Sequence, residues 1–198
     1  MAQDIRRDQT EVAGGLRHSN LSGTSSTGAT PTPPLPNDQS ARASDDLLLQ
    51  ENIEVLARIV ASEARGENET SQKTVAWTAV NRMKKHSFTQ VSSVLAHGNY
   101  SHSSMSTLTS LQLADDILSG CALDISQGAT HFYSPRAMPK RGDRPSSNVD
   151  VLGGLESVPG VVGRNGQPVE NYRPGWAKNV SPIRIPGIQD KDFKFFRL

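Results

Sequence analysis

A helix-rich α+β fold is what this sequence predicts, and three observations carry the expectation. Between Asp45 and Ser119, apolar residues recur at helical spacing in successive segments punctuated by glycines. After Asp124 that periodicity stops, and the trio His131-Phe132-Tyr133 precedes a stretch rich in Gly, Pro, Arg and Asn, where loops and short strands are expected. Ile183-Arg184-Ile185 and Phe193 to Phe196 then supply enough apolar surface for the chain to return to the core, as strands. A length of 198 residues suits one domain with one core.

Residues 1–44 are dominated by Ser, Thr, Gly, Pro, Asn and Asp, including TPTPPLPNDQ. Such a stretch buries too little apolar surface to offset its ordering entropy, so it reads as a disordered arm, either a spacer or a delivery signal. The domain then occupies residues 45–198. Asp45 or Asp46 is expected to cap the first helix, and Leu47, Leu48, Ile53, Leu56, Ile59 and Val60 carry it to about Ala64, with Gly66 ending it. A second helix is predicted from about Ser71 to Lys85, burying Val75, Ala76, Ala79, Val80 and Met83, with Trp77 at the flank of that face. A short helix follows near Thr89 to Ala96, closed by Gly98, and a longer one near Leu108 to Ser119, closed by Gly120. The intervening NYSHSSMST is too polar for core.

Charge excludes some functions. Lys and Arg number 21 against 20 Asp and Glu, so no overall field draws the protein to nucleic acid. The basic run RAMPKRGDR is short and lacks interleaved aromatics, and reads as a solvated loop. No segment approaches the roughly 20 apolar residues of a membrane span. The first thirty residues hold Arg6, Arg7 and Asp8 but no apolar stretch of the kind a secretory signal needs, which predicts a chain made in the cytoplasm. Cys121 is a lone cysteine, most simply a small apolar residue. His18, His86, His97, His102 and His131 show no metal-ligand spacing, so neither a metal nor a cofactor is called for.

The informative stretch is LARIVASEARGENETSQKTVAWTAVNRM, residues 56 to 83. Glu63 falls at the end of an apolar helix, where Ile59, Val60 and Ala64 would half-bury it and raise its pKa by penalising the charged form. A neutral carboxylic acid of that kind can protonate a departing sugar oxygen. Glu67 and Glu69 lie beyond the Gly66 break and read as solvated. Asp115 and Asp116 are the weaker candidates for a second carboxylate, since they sit mid-helix between apolar residues and read first as a solvated face. Arg65 and Arg82 suit either a substrate carboxylate or an ion pair with Glu67 or Glu54.

The string Ser62-Glu63-Ala64-Arg65-Gly66-Glu67, followed by Val75-Ala76 and Ala79-Val80-Asn81-Arg82, resembles the opening of the cell wall hydrolase family typified by spore cortex-lytic enzymes. Gly98-Asn99-Tyr100-Ser101, Leu111-Gln112-Leu113-Ala114, Ile117-Leu118-Ser119-Gly120 and Gly128-Ala129-Thr130-His131-Phe132-Tyr133 follow in that family's order. The resemblance covers roughly residues 51 to 135. It implies a lysozyme-like catalytic domain, acting as a monomer on peptidoglycan glycan strands between N-acetylmuramic acid and N-acetylglucosamine.

In the lytic transglycosylase mode that it implies, Glu63 is the catalytic acid and then the base, and a 1,6-anhydro ring closes on the muramyl sugar. Tyr100, Ser101, His131, Tyr133 and Trp176 would line the sugar groove. His131 and Tyr133, two apart in an extended segment, would face the same side, with Phe132 facing the other. A muramidase that uses water and a second acid, and a wall-binding module without turnover, remain as alternatives. The connection from Tyr133 to Trp176 is longer than the family's, which marks 136–174 as an insertion that could shape the groove, recognise a particular wall or bind a partner. Phage lysis, a virion or a specialised secretion system would bring such an enzyme to the wall, the last with a cognate inhibitor protein.

Overall fold

A computed structural model describes residues 37–98, 100–147 and 149–198, with side chains from Leu49 onward. Residues 1–36 of the predicted arm lie outside the described residues, as does Asn99. The architecture is mixed α+β and helix-rich: α1 (Asn37–Glu63), α2 (Glu69–Lys85), α3 (Ser92–Gly98) and α4 (Leu108–Leu118) precede β1 (His131–Tyr133), β2 (Leu155–Val162), β3 (Pro168–Tyr172), a 3-10 turn (Gly175–Ala177) and β4 (Lys194–Phe196). No described helix is long and apolar enough to cross a membrane.

The helix α1 starts at Asn37 rather than near Asp45, so Asp45 and Asp46 lie inside it and do not cap it. Its C-terminal half buries Ile53, Leu56, Ala57, Ile59, Val60 and Ala61, a stripe at i, i+3, i+4 spacing. Gly66, at φ +79°, ends the turn beyond it in the left-handed conformation that an L side chain avoids. The α2 helix begins on Asn68, whose side chain accepts from the Ser71 amide at 2.8 Å, and ends on Lys84 and Lys85. Trp77 is buried in its core face rather than flanking it, with the Lys84 ammonium 5.0 Å over the ring. A Thr107–Ser110 capping box starts α4, which turns Ser110, Ala114 and Ile117 inward and packs against α1.

Two two-stranded antiparallel sheets complete the fold. The pair β1–β4 sets His131 opposite Phe196, Phe132 opposite Phe195 and Tyr133 opposite Lys194, and Ile183 bridges to Phe195. The expected return of the last apolar segments to the core is thus observed, with Ile185, Phe193, Phe195 and Phe196 buried. The second pair, β2–β3, forms a hairpin inside residues 136–174, with a bulge between Ser157 and Val162. This segment is tied to the rest of the fold. The buried Asn171 amide donates to the Pro135 carbonyl at 2.8 Å, and Arg136 ion-pairs with Glu67 and with Asp192.

Candidate active site

Glu63 is the last residue of α1, half-buried where the helix meets the polar segment after α3. Its Oε1 accepts a hydrogen bond from the Ser101 amide, which leaves Oε2 to carry a proton. Burial raises the Glu63 pKa above the ordinary carboxylate value, and the Ser101 amide works against that rise. Among the described residues no cation is among the groups that shift its pKa. Neighbouring bonds brace the segment that supplies the amide: Ser104 N donates to Ser62 Oγ at 2.9 Å, and Ser106 Oγ donates to Glu54 Oε1 at 2.9 Å.

Tyr100 precedes that amide, but its ring is not an open face for a sugar. It is buried, 5.8 Å from the Phe132 ring and 5.8 Å from the Arg82 guanidinium carbon. A Cβ on Gly98 would stand 2.6 Å from Tyr100 Cδ2, so only glycine allows the ring to lie there. The Tyr100 hydroxyl is enclosed without an aligned hydrogen-bond partner. Its pKa is pushed up to about 12 by burial, with Arg82 pulling it down and Glu63 adding slightly to the rise.

Arg82 is the hub that sequence reasoning missed. Its partners are not Glu67 or Glu54, which bond to Arg136 and Ser106 instead. One terminal nitrogen donates to the Gly98 carbonyl at 3.2 Å and the other meets His131 Nε2 at 2.8 Å. A guanidinium only donates, so Nε2 must accept, and the imidazole proton sits on Nδ1, donating to Thr130 Oγ1 at 3.0 Å. Burial first, then the charges of Arg82, Lys85 and His86, lowers the His131 pKa to about 4. His131 is therefore neutral at physiological pH. Asn81, beside Arg82, donates to Ser126 Oγ at 2.9 Å and to the Ala129 carbonyl at 3.2 Å, fixing the loop that leads into β1.

The β1 alternation places side chains as the period of two requires. Phe132 faces the core rings of Tyr100, Phe193 and Phe195, while His131 and Tyr133 both face Trp176, at 5.3 and 5.8 Å between ring centroids. Trp176, on the 3-10 turn, is half-buried and keeps surface to offer, unlike the buried Tyr100 and Tyr133. The Tyr133 hydroxyl donates to Glu156 Oε1 at 2.7 Å, and Lys194 holds the other Glu156 oxygen at 2.7 Å. Burial, reinforced by this carboxylate, raises the Tyr133 pKa well beyond the ordinary phenol value.

The six site residues predicted from the sequence therefore fall in one connected row, Glu63, Ser101 and Tyr100 on one side and His131, Trp176 and Tyr133 on the other, with Arg82 as a seventh residue joining the two. Asp115 is exposed and Asp116 accepts from Gln112 at 3.0 Å, and neither is among the groups that act on Glu63. The surface hollow along Arg184 to Asp190 includes no member of the row, and neither does the one at Arg141, Ser157 and Glu170. Among the described residues no cluster of His, Cys, Asp and Glu is arranged to hold a metal ion. Comparison with protein-family models, with curated proteins and with solved structures finds no match to this chain.

Proposed function

We propose that this chain cleaves the glycan strand of peptidoglycan between N-acetylmuramic acid and N-acetylglucosamine, as a lytic transglycosylase of the family that its motifs resemble. One observation carries the reading: a half-buried acid with a raised pKa, held by one amide and faced by no cation, stands at the head of a row of aromatic and polar side chains. That is the state in which a carboxyl can give up a proton to a weakly basic glycosidic oxygen.

The chemistry needs one carboxyl. Glu63 Oε2 gives its proton to the leaving oxygen, the bond from the muramyl anomeric carbon to that oxygen breaks, and positive charge develops on the ring. The carboxylate left behind takes the proton of the muramyl 6-hydroxyl as its oxygen closes on the anomeric carbon, and Glu63 is again neutral. No water is consumed and no second carboxylate takes part, which agrees with no described carboxylate being among the groups that shift the Glu63 pKa. Trp176 offers an apolar face to the sugar, and the Ser101 hydroxyl, exposed beside Glu63, offers a hydrogen bond.

Mass spectrometry of the sugars released from purified peptidoglycan tests this. Wild-type protein is expected to release anhydromuramyl products and Glu63→Gln to release them at a rate lower by about two orders of magnitude or more. Reducing-end products would replace the transglycosylase reading with hydrolysis, and no release from any wall type would overturn the enzymatic reading.

A further inference from the structure

We propose that Arg82 is the positioning residue of this site: its guanidinium ties the segment carrying Ser101 to the strand carrying His131, and so holds the amide that orients Glu63. The inference rests on Glu63 being the acid. Three contacts of one rigid group make the tie. The fork donates to the Gly98 carbonyl at 3.2 Å and to His131 Nε2 at 2.8 Å, and the guanidinium carbon stands 5.8 Å from the Tyr100 ring centre.

Neither end has slack. On the Glu63 side, the space beside Gly98 is already filled, since a Cβ there would lie 2.6 Å from Tyr100 Cδ2 and 3.1 Å from the Arg82 terminal nitrogen. Tyr100, whose ring stands against the guanidinium, is the residue next to Ser101, so a shift of that ring acts on the amide that meets Glu63. On the far side both imidazole nitrogens are engaged, Nε2 by Arg82 and Nδ1 by Thr130, whose Oγ1 is itself bonded by the Leu198 amide at 3.1 Å.

The energetics argue against a merely stabilising role. Arg82 is half-buried, its Nε has no hydrogen-bond partner, and no carboxylate pairs with it among the described residues. A guanidinium without a counter-charge costs desolvation energy that an apolar side chain of similar size would not. What the arginine supplies and such a side chain lacks is the fork that joins the two walls. Position is what catalysis rewards, because displacing a reacting group by about 1 Å can cost on the order of 100-fold in rate.

Two variants separate geometry from charge. Arg82→Lys keeps the charge and loses the fork; it is expected to lower kcat on soluble glycan fragments at least about tenfold with KM within about threefold. Arg82→Gln removes the charge. The groups facing His131 are then Lys85 at the end of α2 and His86 just beyond it, with Thr130 and Trp176 uncharged, so by NMR its titration is expected to move up from about 4 toward the ordinary histidine value. In Arg82→Lys that titration stays low. Wild-type kcat in Arg82→Lys, or an unmoved His131 titration in Arg82→Gln, would overturn the proposal. The NMR arm needs no turnover, so it judges the tie even for a protein that releases no sugar, an outcome that sinks the cleavage reading instead.

Discussion

The end of α1 and the β2–β3 hairpin each bring a half-buried carboxylate to the same row of side chains, and the fold treats the two in opposite ways. Glu156, on β2, is saturated: Lys194 holds one oxygen and the Tyr133 hydroxyl the other, both at 2.7 Å. Glu63 has one amide and no cation, and burial raises its pKa. Both are partly withdrawn from water, and the difference lies in the partners. A carboxylate supplied with a cation and a donor is a structural strut, whereas one left short of them is pushed toward its neutral form, the form that the proposed reaction calls for.

Isosteric replacement of the two acids gives the sharpest break of that comparison. Glu63→Gln is expected to lower the rate of sugar release on the order of 100- to 10,000-fold, the range for losing a general acid. Glu156→Gln should leave kcat within a few-fold, yet destabilise the fold by roughly 2–4 kcal/mol, because Lys194 is left enclosed without its counter-charge. A Glu156→Gln protein that melts like wild type but has lost activity would reverse the two roles. The pH profile sharpens the same point, since the proposed reaction calls for Glu63 protonated and the Arg82 tie for His131 neutral. Activity should fall on the alkaline side as Glu63 ionises above its raised pKa, and on the acid side as His131 gains a proton near about 4 and loses its bond from Arg82. Replacing His131 with Gln should remove the acid limb alone.

Stability follows His131 in a defined window. Its folded pKa is lowered, so between the ordinary value of 6.5 and about 4 the unfolded chain binds a proton that the folded one refuses. Stability is therefore full above pH 6.5 and drains away as pH falls through that range, by on the order of 2 kcal/mol after allowance for solvent screening. Urea titrations at several pH values, compared with His131→Gln, measure it. A pH-independent difference between the two proteins would show that His131 titrates alike in both states.

How much of this was legible depended on sequence distance. Helices α2 and α4 and the buried half of α1 were readable because their apolar stripes are local, and the acid on α1 was readable for the same reason. The first turns of α1 were not, since NDQSARASDD holds no apolar stripe for periodicity to register. The facing of β1 followed from its period of two. Arg82 was misassigned because its partners lie 16 and 49 residues away, and nothing local distinguishes an arginine that reaches a carbonyl from one that seeks an acid. Glu156 was passed over likewise: Tyr133 is 23 and Lys194 38 residues distant, across a segment that reads as an insertion. Tyr100 was expected to offer an open face but is buried, and its burial was not readable because it depends on the room beside Gly98.

The smallest expected effect bears most directly on why Glu63 differs from Glu156. Above its raised pKa, Glu63 carries a charge that the folded state accommodates less well than water does, so folding is weakened as pH rises from 4.5 through the folded value. A glutamine has no such charge, and its side-chain oxygen can still accept from the Ser101 amide. Glu63→Gln should therefore be the more stable protein near pH 8, melting at the higher temperature, with the advantage shrinking toward pH 4.5. Thermal melts of the two proteins across that range decide the point. Should Glu63→Gln melt lower at every pH, the amide would be holding the carboxylate more strongly than burial penalises it, and Glu63 would be a strut like Glu156.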